Sequence, residues 1–305
     1  MKTIRMEWDT MNYFESKIKD YSCEFGLLDE FISEKAEASN YFAWVREGYK
    51  TYFSTVDSLS ESKFAIRYYR AKKLIYSAAQ MLMEAKTSRN NECIVAYYFL
   101  VYYALFQAMQ ANLIICKAFD DEKVLQLSHD NIKILFDAQF CQNNKCPIDS
   151  EIITLIEELR KNREYFSYAM PFNLTEDALI DLDKVEKWIG VCVQLFNLHC
   201  FIIWQDVQKV VRLDRACVDE IKEYFMQSCN RLKEDSFSDD ADSDFWNEYK
   251  RDGCCEILPL SFAYDHDFDE FGTYDSEVYI KLGMPRTQRI ISESLSFLGN
   301  IVGAL

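Results

Sequence analysis

Glycine and proline are scarce in this chain, with only 8 Gly and 4 Pro in 305 residues. That scarcity argues against a turn-rich β protein and favours long helices. Histidine is scarcer still, with three in all, which leaves few side chains suited to proton transfer near neutral pH. Positive charge is also short. The 34 Lys and Arg face 50 Asp and Glu, and the formal net charge of −16 excludes broad, nonspecific nucleic-acid binding by the whole surface. The N-terminal stretch MKTIRMEWDT has no apolar signal core, and the 11 Cys are odd in number and irregularly spaced. The expectation is free thiols in a reducing, cytoplasmic setting. The densest apolar run, Cys93 to Phe106, is too short to span a bilayer, so no membrane is expected as a partner.

What is present is apolar and aromatic. Hydrophobic types make up 49% of the chain and aromatics 15%, enough for a large core. The charge is uneven: residues 234–277 hold 15 acidic side chains against Lys250 and Arg251, a net of −13. The remainder carries only −3, which leaves room for a local basic site.

The pattern along the chain is helical. Ser39 or Asn40 is placed to cap a helix carrying Tyr41, Phe42, Trp44, Val45, Tyr49 and Phe53. Ser58-x-x-Glu61 has the form of a capping box, and a helical pattern follows to about Lys86. The next helix, about Glu92 to Lys117, is apolar nearly all round at first, so its Tyr/Phe stripe at 97–106 is expected to be core and not a base-stacking platform. A third helix is expected from about Ser128 to Phe140 and a fourth from Asp149 or Ser150 through Arg163. Asn173-x-x-Glu176 is another capping-box pattern, and within it Asn173-Leu174-Thr175 reads as a helix start rather than a glycosylation site. A long helix over roughly 175–211, bent at Gly190, an amphipathic helix with Val218, Ile221, Tyr224, Phe225 and Leu232, and a terminal helix over about 285–302 complete the pattern. The prediction is an all-α antiparallel bundle over 58–211, more than two-thirds helix and with essentially no sheet. A helical extension (1–57) precedes it and an acidic one (212–305) follows.

Three landmarks stand in a fixed order: Ala96-Tyr97-Tyr98 with Ala104-Leu105-Phe106-Gln107-Ala108, then Leu127-Ser128-His129 with Phe136, then Leu159-Arg160-Lys161-Asn162-Arg163-Glu164-Tyr165. Over about residues 60–205 this resembles the small prokaryotic HEPN domains. There the second helix carries an alanine–tyrosine–tyrosine–alanine motif, a histidine opens the third, and a later helix carries an arginine, three residues and an aspartate–tyrosine pair. The resemblance implies an antiparallel bundle, usually a homodimer with a shared cleft. It also implies a metal-independent ribonuclease, needing no cofactor, from a toxin–antitoxin or antiphage-defence system, where a protein from the same operon is a further partner. The family's catalytic signature is arginine, four to six residues, then histidine. Arg160 matches the arginine, but Tyr165 stands where the histidine would be in the shortest form, and no His lies between 130 and 198. Glu164-Tyr165 instead resembles the family's Asp/Glu–Tyr variants.

RNA transesterification needs a base for the 2′-hydroxyl and a cation for the phosphorane. Arginine suits the second role and histidine the first, whereas an ordinary tyrosine is a poor base. The catalytic candidates are therefore Arg160, Glu164 and Tyr165, with His129 as a remote histidine. Arg160 and Glu164 lie four apart, which equally suits a simple intrahelical ion pair. Lys63, Arg67 and Arg70 fall on one helix face and, with Lys161 and Arg163, are candidates for an RNA phosphate patch or a solvated face. His199, on an apolar helix, is expected to be a satisfied core histidine, and His266 a solvated one. Cys141 and Cys146, with four residues between them, and Cys192, His199 and Cys200 lack structural-zinc spacing, so no metal is assigned. Cys254-Cys255 reads as two free thiols.

Residues 235–247 read as a flexible acidic loop carrying Phe245 and Trp246, and 264–275 repeat the mixture around Asp265 and Asp267. Those four are candidate partner-binding residues, docking on a basic groove of this chain or of another protein. The alternative is a solubilising extension whose aromatics pack on the bundle. For the whole chain the rivals to an RNA-acting enzyme are a catalytically silent scaffolding subunit and an acidic nucleic-acid mimic.

Overall fold

The computed structural model describes residues 25–32, 35–143, 146, 148–169, 180–207, 210–229, 240–260 and 285–303. Its elements are α1 (Gly26–Asp29), α2 (Lys35–Thr55), α3 (Ser58–Asn90), α4 (Ile94–Ile115), α5 (Asp121–Leu125), α6 (His129–Phe136), α7 (Glu151–Glu164), α8 (Leu182–Ile202), β1 (Val210–Arg212), α9 (Val218–Ser228), α10 (Asp240–Asp252), β2 (Cys254–Glu256) and α11 (Pro285–Val302). The chain is an all-α helical bundle; among the described residues it has one small antiparallel pair, β1 with β2, in the register Val210–Glu256 to Arg212–Cys254.

The centre is the antiparallel pair α3–α4, joined by the three-residue turn Asn91–Cys93 in which Glu92 takes a left-handed φ of 59°. α4 also packs on α6, α7 and α8, while α11 lies on α3 and α8 and α9 on α3. Burial on several sides follows from a helix with few polar side chains. α4 and the helical run Leu182–Val207 are long and apolar enough to cross a membrane, but 72% and 89% of their apolar windows are buried inside the protein. That is the burial of core helices and is compatible with a soluble protein.

Several local expectations are corrected. Asp57, not Ser58, caps α3, its carboxylate accepting from Ser60 N at 2.8 Å, while the Ser58 hydroxyl donates to Asp214. α3 continues to Asn90, beyond the expected end near Lys86. Ser39 and Asn40 lie inside α2 rather than at its start. α8 is capped by Asp181, passes through Gly190, and gives way to a π-helical turn at Ile203–Val207 and then β1, so 210–212 is strand rather than helix. Gly190 serves close packing: a Cβ there would press on Leu27 and Ile301. The expected start at Asn173 lies outside the described residues. Ser128 does open α6, with its N–H bound to Asn131 Oδ1 at 2.7 Å.

The flanking segments share the bundle's core. Phe25, Leu28, Tyr41 and Tyr49 from one side and Trp246, Tyr249, Ile257, Leu298 and Val302 from the other belong to one cluster of buried residues. The acidic stretch is not a loop from Asp240 on; it is α10. Phe245 stacks on Tyr69 at 4.0 Å, Trp246 is 5% exposed, and Asp242 is buried against Lys73 (2.7 Å) and Tyr69 Oη (3.0 Å). Successive turns of this acidic helix carry apolar rings on one face, so it docks as an amphipathic helix.

His199 is the satisfied core histidine expected. Tyr41 Oη lies 2.9 Å from Nε2 and Tyr49 Oη 3.0 Å from Nδ1, while Tyr49 donates to Ile115 O. Burial, with the nearby Lys117 charge, lowers its pKa from 6.5 to about 3. Above pH 6.5 both folded and unfolded chains hold it neutral. Below that the unfolded chain takes a proton that the folded one refuses, so stability falls with pH. Urea denaturation is expected to show a loss of about 1 kcal/mol between pH 7.5 and 5.5 from this group. A His199→Gln variant, which keeps polar atoms toward both tyrosines, loses that component of the slope.

Candidate functional site

α4, α6 and α7 enclose a pocket of about 110 Å³ lined by Tyr102, Phe106, Met109, His129, Ile132, Lys133, Ile134, Ile156, Glu157 and Arg160. Two catalytic candidates from distant stretches, His129 and Arg160, thus meet on one pocket. His129, at the first turn of α6, stacks on Phe106 with ring centroids 4.3 Å apart, and Tyr102 Oη lies 3.3 Å from its Nδ1. Burial raises the Tyr102 pKa, so its phenol stays neutral.

Arg160 does not pair with Glu164. Its Nη2 donates to Glu157 at 2.9 Å, one turn earlier, and Glu157 also accepts from Lys133 of α6 at 2.7 Å. The Lys133 and Arg160 hydrogen bonds hold the Glu157 carboxyl below its usual range, and Glu157 in turn raises the Arg160 pKa. One carboxylate therefore holds two cations side by side at the pocket edge. Glu164 pairs instead with Arg163 at 3.4 Å. The Arg163 guanidinium lies 4.9 Å from the Tyr102 ring centre and donates to Tyr103 Oη at 3.3 Å.

Tyr165 departs from the motif expectation. α7 passes into a π-helical turn at Tyr165–Ala169, and Tyr165 is 52% exposed with its ring edge-on to Phe166, outside the pocket lining. Lys161 is exposed on α7. Lys133, Glu157, Tyr102 and Phe106 were not among the sequence candidates. Phe106 stands in the second-helix landmark and Tyr102 in the aromatic stripe, while the Glu157–Arg160 spacing of three is the signal for Glu157.

The Lys63–Arg67–Arg70 patch does not form. Arg67 is 1% exposed and donates to the carbonyls of Ile114 (2.8 Å), Cys116 (2.7 Å) and Phe119 (3.0 Å), with Asp121 at 3.4 Å. Lys63 pairs with Glu220 at 2.7 Å, and Arg70 is partly buried, with its pKa lowered by desolvation. Phe245 and Trp246 are committed to packing on α3 and α9, so neither ring is presented for a partner. Asp265, Asp267 and His266 lie outside the described residues. Among the described residues no group of three or more His, Cys, Asp or Glu is placed to hold a metal ion.

Comparison of the chain with models of known families, with curated proteins and with solved structures finds no match.

Arg67→Met is expected to lower unfolding free energy by about 3–5 kcal/mol, because it leaves buried carbonyls without a donor. Denaturant titration checks this; a loss below about 1 kcal/mol would return Arg67 to the list of surface cations.

Proposed function

We propose that this chain is a HEPN-like protein of a prokaryotic toxin–antitoxin or antiphage-defence system, acting in the cytoplasm on RNA without a metal ion. The observation that supports the reading is the convergence of His129 and Arg160 on one pocket, with Lys133 held beside Arg160 by Glu157. The motif histidine is missing after Arg160, and His129 stands in the vicinity of that arginine from another helix.

In this reading Arg160 and Lys133 donate to non-bridging oxygens of a phosphodiester, and charge-assisted donors favour the phosphorane over the ground state. The contact with Tyr102 at Nδ1 orients the imidazole, and in the tautomer with Nδ1–H donating to the Tyr102 hydroxyl Nε2 is the base. His129 takes the 2′-hydroxyl proton, O2′ attacks phosphorus, and the P–O5′ bond breaks. The departing O5′ takes a proton from solvent, giving a 2′,3′-cyclic phosphate and a 5′-hydroxyl. Tyr165 has no part in proton transfer. The protein acts as a homodimer that brings two such pockets to a shared cleft, and light scattering at micromolar concentration is expected to show twice the 36.0 kDa chain mass.

RNA cleavage is expected to survive EDTA, to fall at least about 100-fold in His129→Asn and Arg160→Ala, and to persist in Tyr165→Phe. A strict need for added divalent metal would overturn the site. RNA binding without cleavage by the wild type would favour the silent-subunit reading, for which Tyr165 lying outside the pocket is the motivating observation.

A further inference from the structure

We propose that the Phe99–Tyr103 edge of α4 is a stacking platform for an unpaired base next to the phosphate held at Arg160, so that the site takes single-stranded rather than duplex RNA. The inference rests on the RNA reading above and adds the strand state of the substrate.

α4 is buried along most of its length, yet Phe99 is 44% exposed on its outer face. A single exposed Phe would need no account. This one begins a continuous track. The Phe99 ring lies 4.5 Å from that of Tyr103, one helical turn on. Tyr103 meets His129 edge-on at 5.4 Å, and its hydroxyl accepts from Arg163 at 3.3 Å. His129 then shares its pocket with Arg160 and Lys133. The track therefore runs from an open aromatic face to a group of cations, through side chains in mutual contact. Aromatic faces interleaved with cations are what a flexible nucleic-acid strand requires. Phosphates meet the cations, and each base has a π-face to lay on a ring. A duplex satisfies only the cations, because its base faces are already stacked on one another. The cations are local on a chain of net charge −16, so charge alone would hold RNA weakly. Stacking supplies the attraction that the charge lacks.

The test is fluorescence anisotropy with the full-length protein, a labelled oligouridylate, and an RNA duplex of equal length. Single-strand binding is expected to exceed duplex binding. Phe99→Ala should weaken single-strand binding about 5- to 150-fold, leaving its salt dependence unchanged. Phe99→Trp should restore it. Arg160→Ala should instead flatten the salt dependence by about 0.7 in log–log slope. Because Phe99 is exposed, the thermal midpoint of both Phe99 variants is expected to match the wild type, which separates lost stacking from lost folding. Unchanged RNA affinity in Phe99→Ala, together with loss in Arg160→Ala, overturns the platform and leaves the proposed function standing. Equal affinity for duplex overturns it too. A Phe99→Ala protein that becomes monomeric while binding RNA as before shows that this face joins two copies of the chain, which also overturns it. Failure of the wild type to bind any RNA removes both readings together.

Discussion

α4 ends inside the protein, and the last carbonyls of a helix have no partners of their own. Water cannot reach these, so a donor must come from the fold. Arg67 supplies it from α3, spreading its guanidinium over the carbonyls of Ile114, Cys116 and Phe119. The planar fork lets one side chain serve all three. Asp121 at 3.4 Å adds a counter-charge and ties α5 to the same point. With that face of α3 turned inward, Lys63 and Arg70 fall on its flanks against α9, where Glu220 and Tyr224 meet them.

Other buried polar side chains repeat the device. Tyr49 donates to Ile115 O and meets His199, linking α2, α4 and α8 at the same end of α4. Asn112 donates across to Cys192 O, joining α4 to α8. Gln194 accepts from the N–H groups of Leu27 and Leu28 and donates to Ile301 O, so one amide holds both α1 and α11 on α8. Apolar contact alone would tolerate rotation or sliding of such helices. Buried hydrogen bonds of defined direction penalise it, since each displaced group would be left unsatisfied.

The candidate site uses the Tyr102–Met109 stretch of α4, ahead of that end. There α6 and α7 carry Lys133, Glu157, Arg160 and Arg163 against the aromatic edge of that helix. The acidic helix α10 is anchored elsewhere, through Asp242 on Lys73 of α3. Its Asp242 is buried there, and its rings meet Tyr69 and Phe225. The described part of the acidic segment is therefore a component of the fold rather than a cover over the arginines.

The helices were legible from local pattern: the scarcity of Gly and Pro, the Ser128 cap, the all-round apolar character of α4, and the buried fate of His199 each depend on short stretches of chain. What sequence could not decide is which charges face one another. Lys63, Arg67 and Arg70 share a helix face by spacing, but whether that face meets solvent or the end of another helix depends on packing. Arg160 had Glu157 and Glu164 within one turn on either side. Lys133, arriving from α6, shares Glu157 with it, while Arg163 engages Glu164. Phe99 and Phe106 look alike in an apolar run, yet one is 44% exposed and the other lies under His129. Helical period sets direction around one axis only; partnership between side chains on different axes is settled where the helices pack, and there tertiary structure alone determined the outcome.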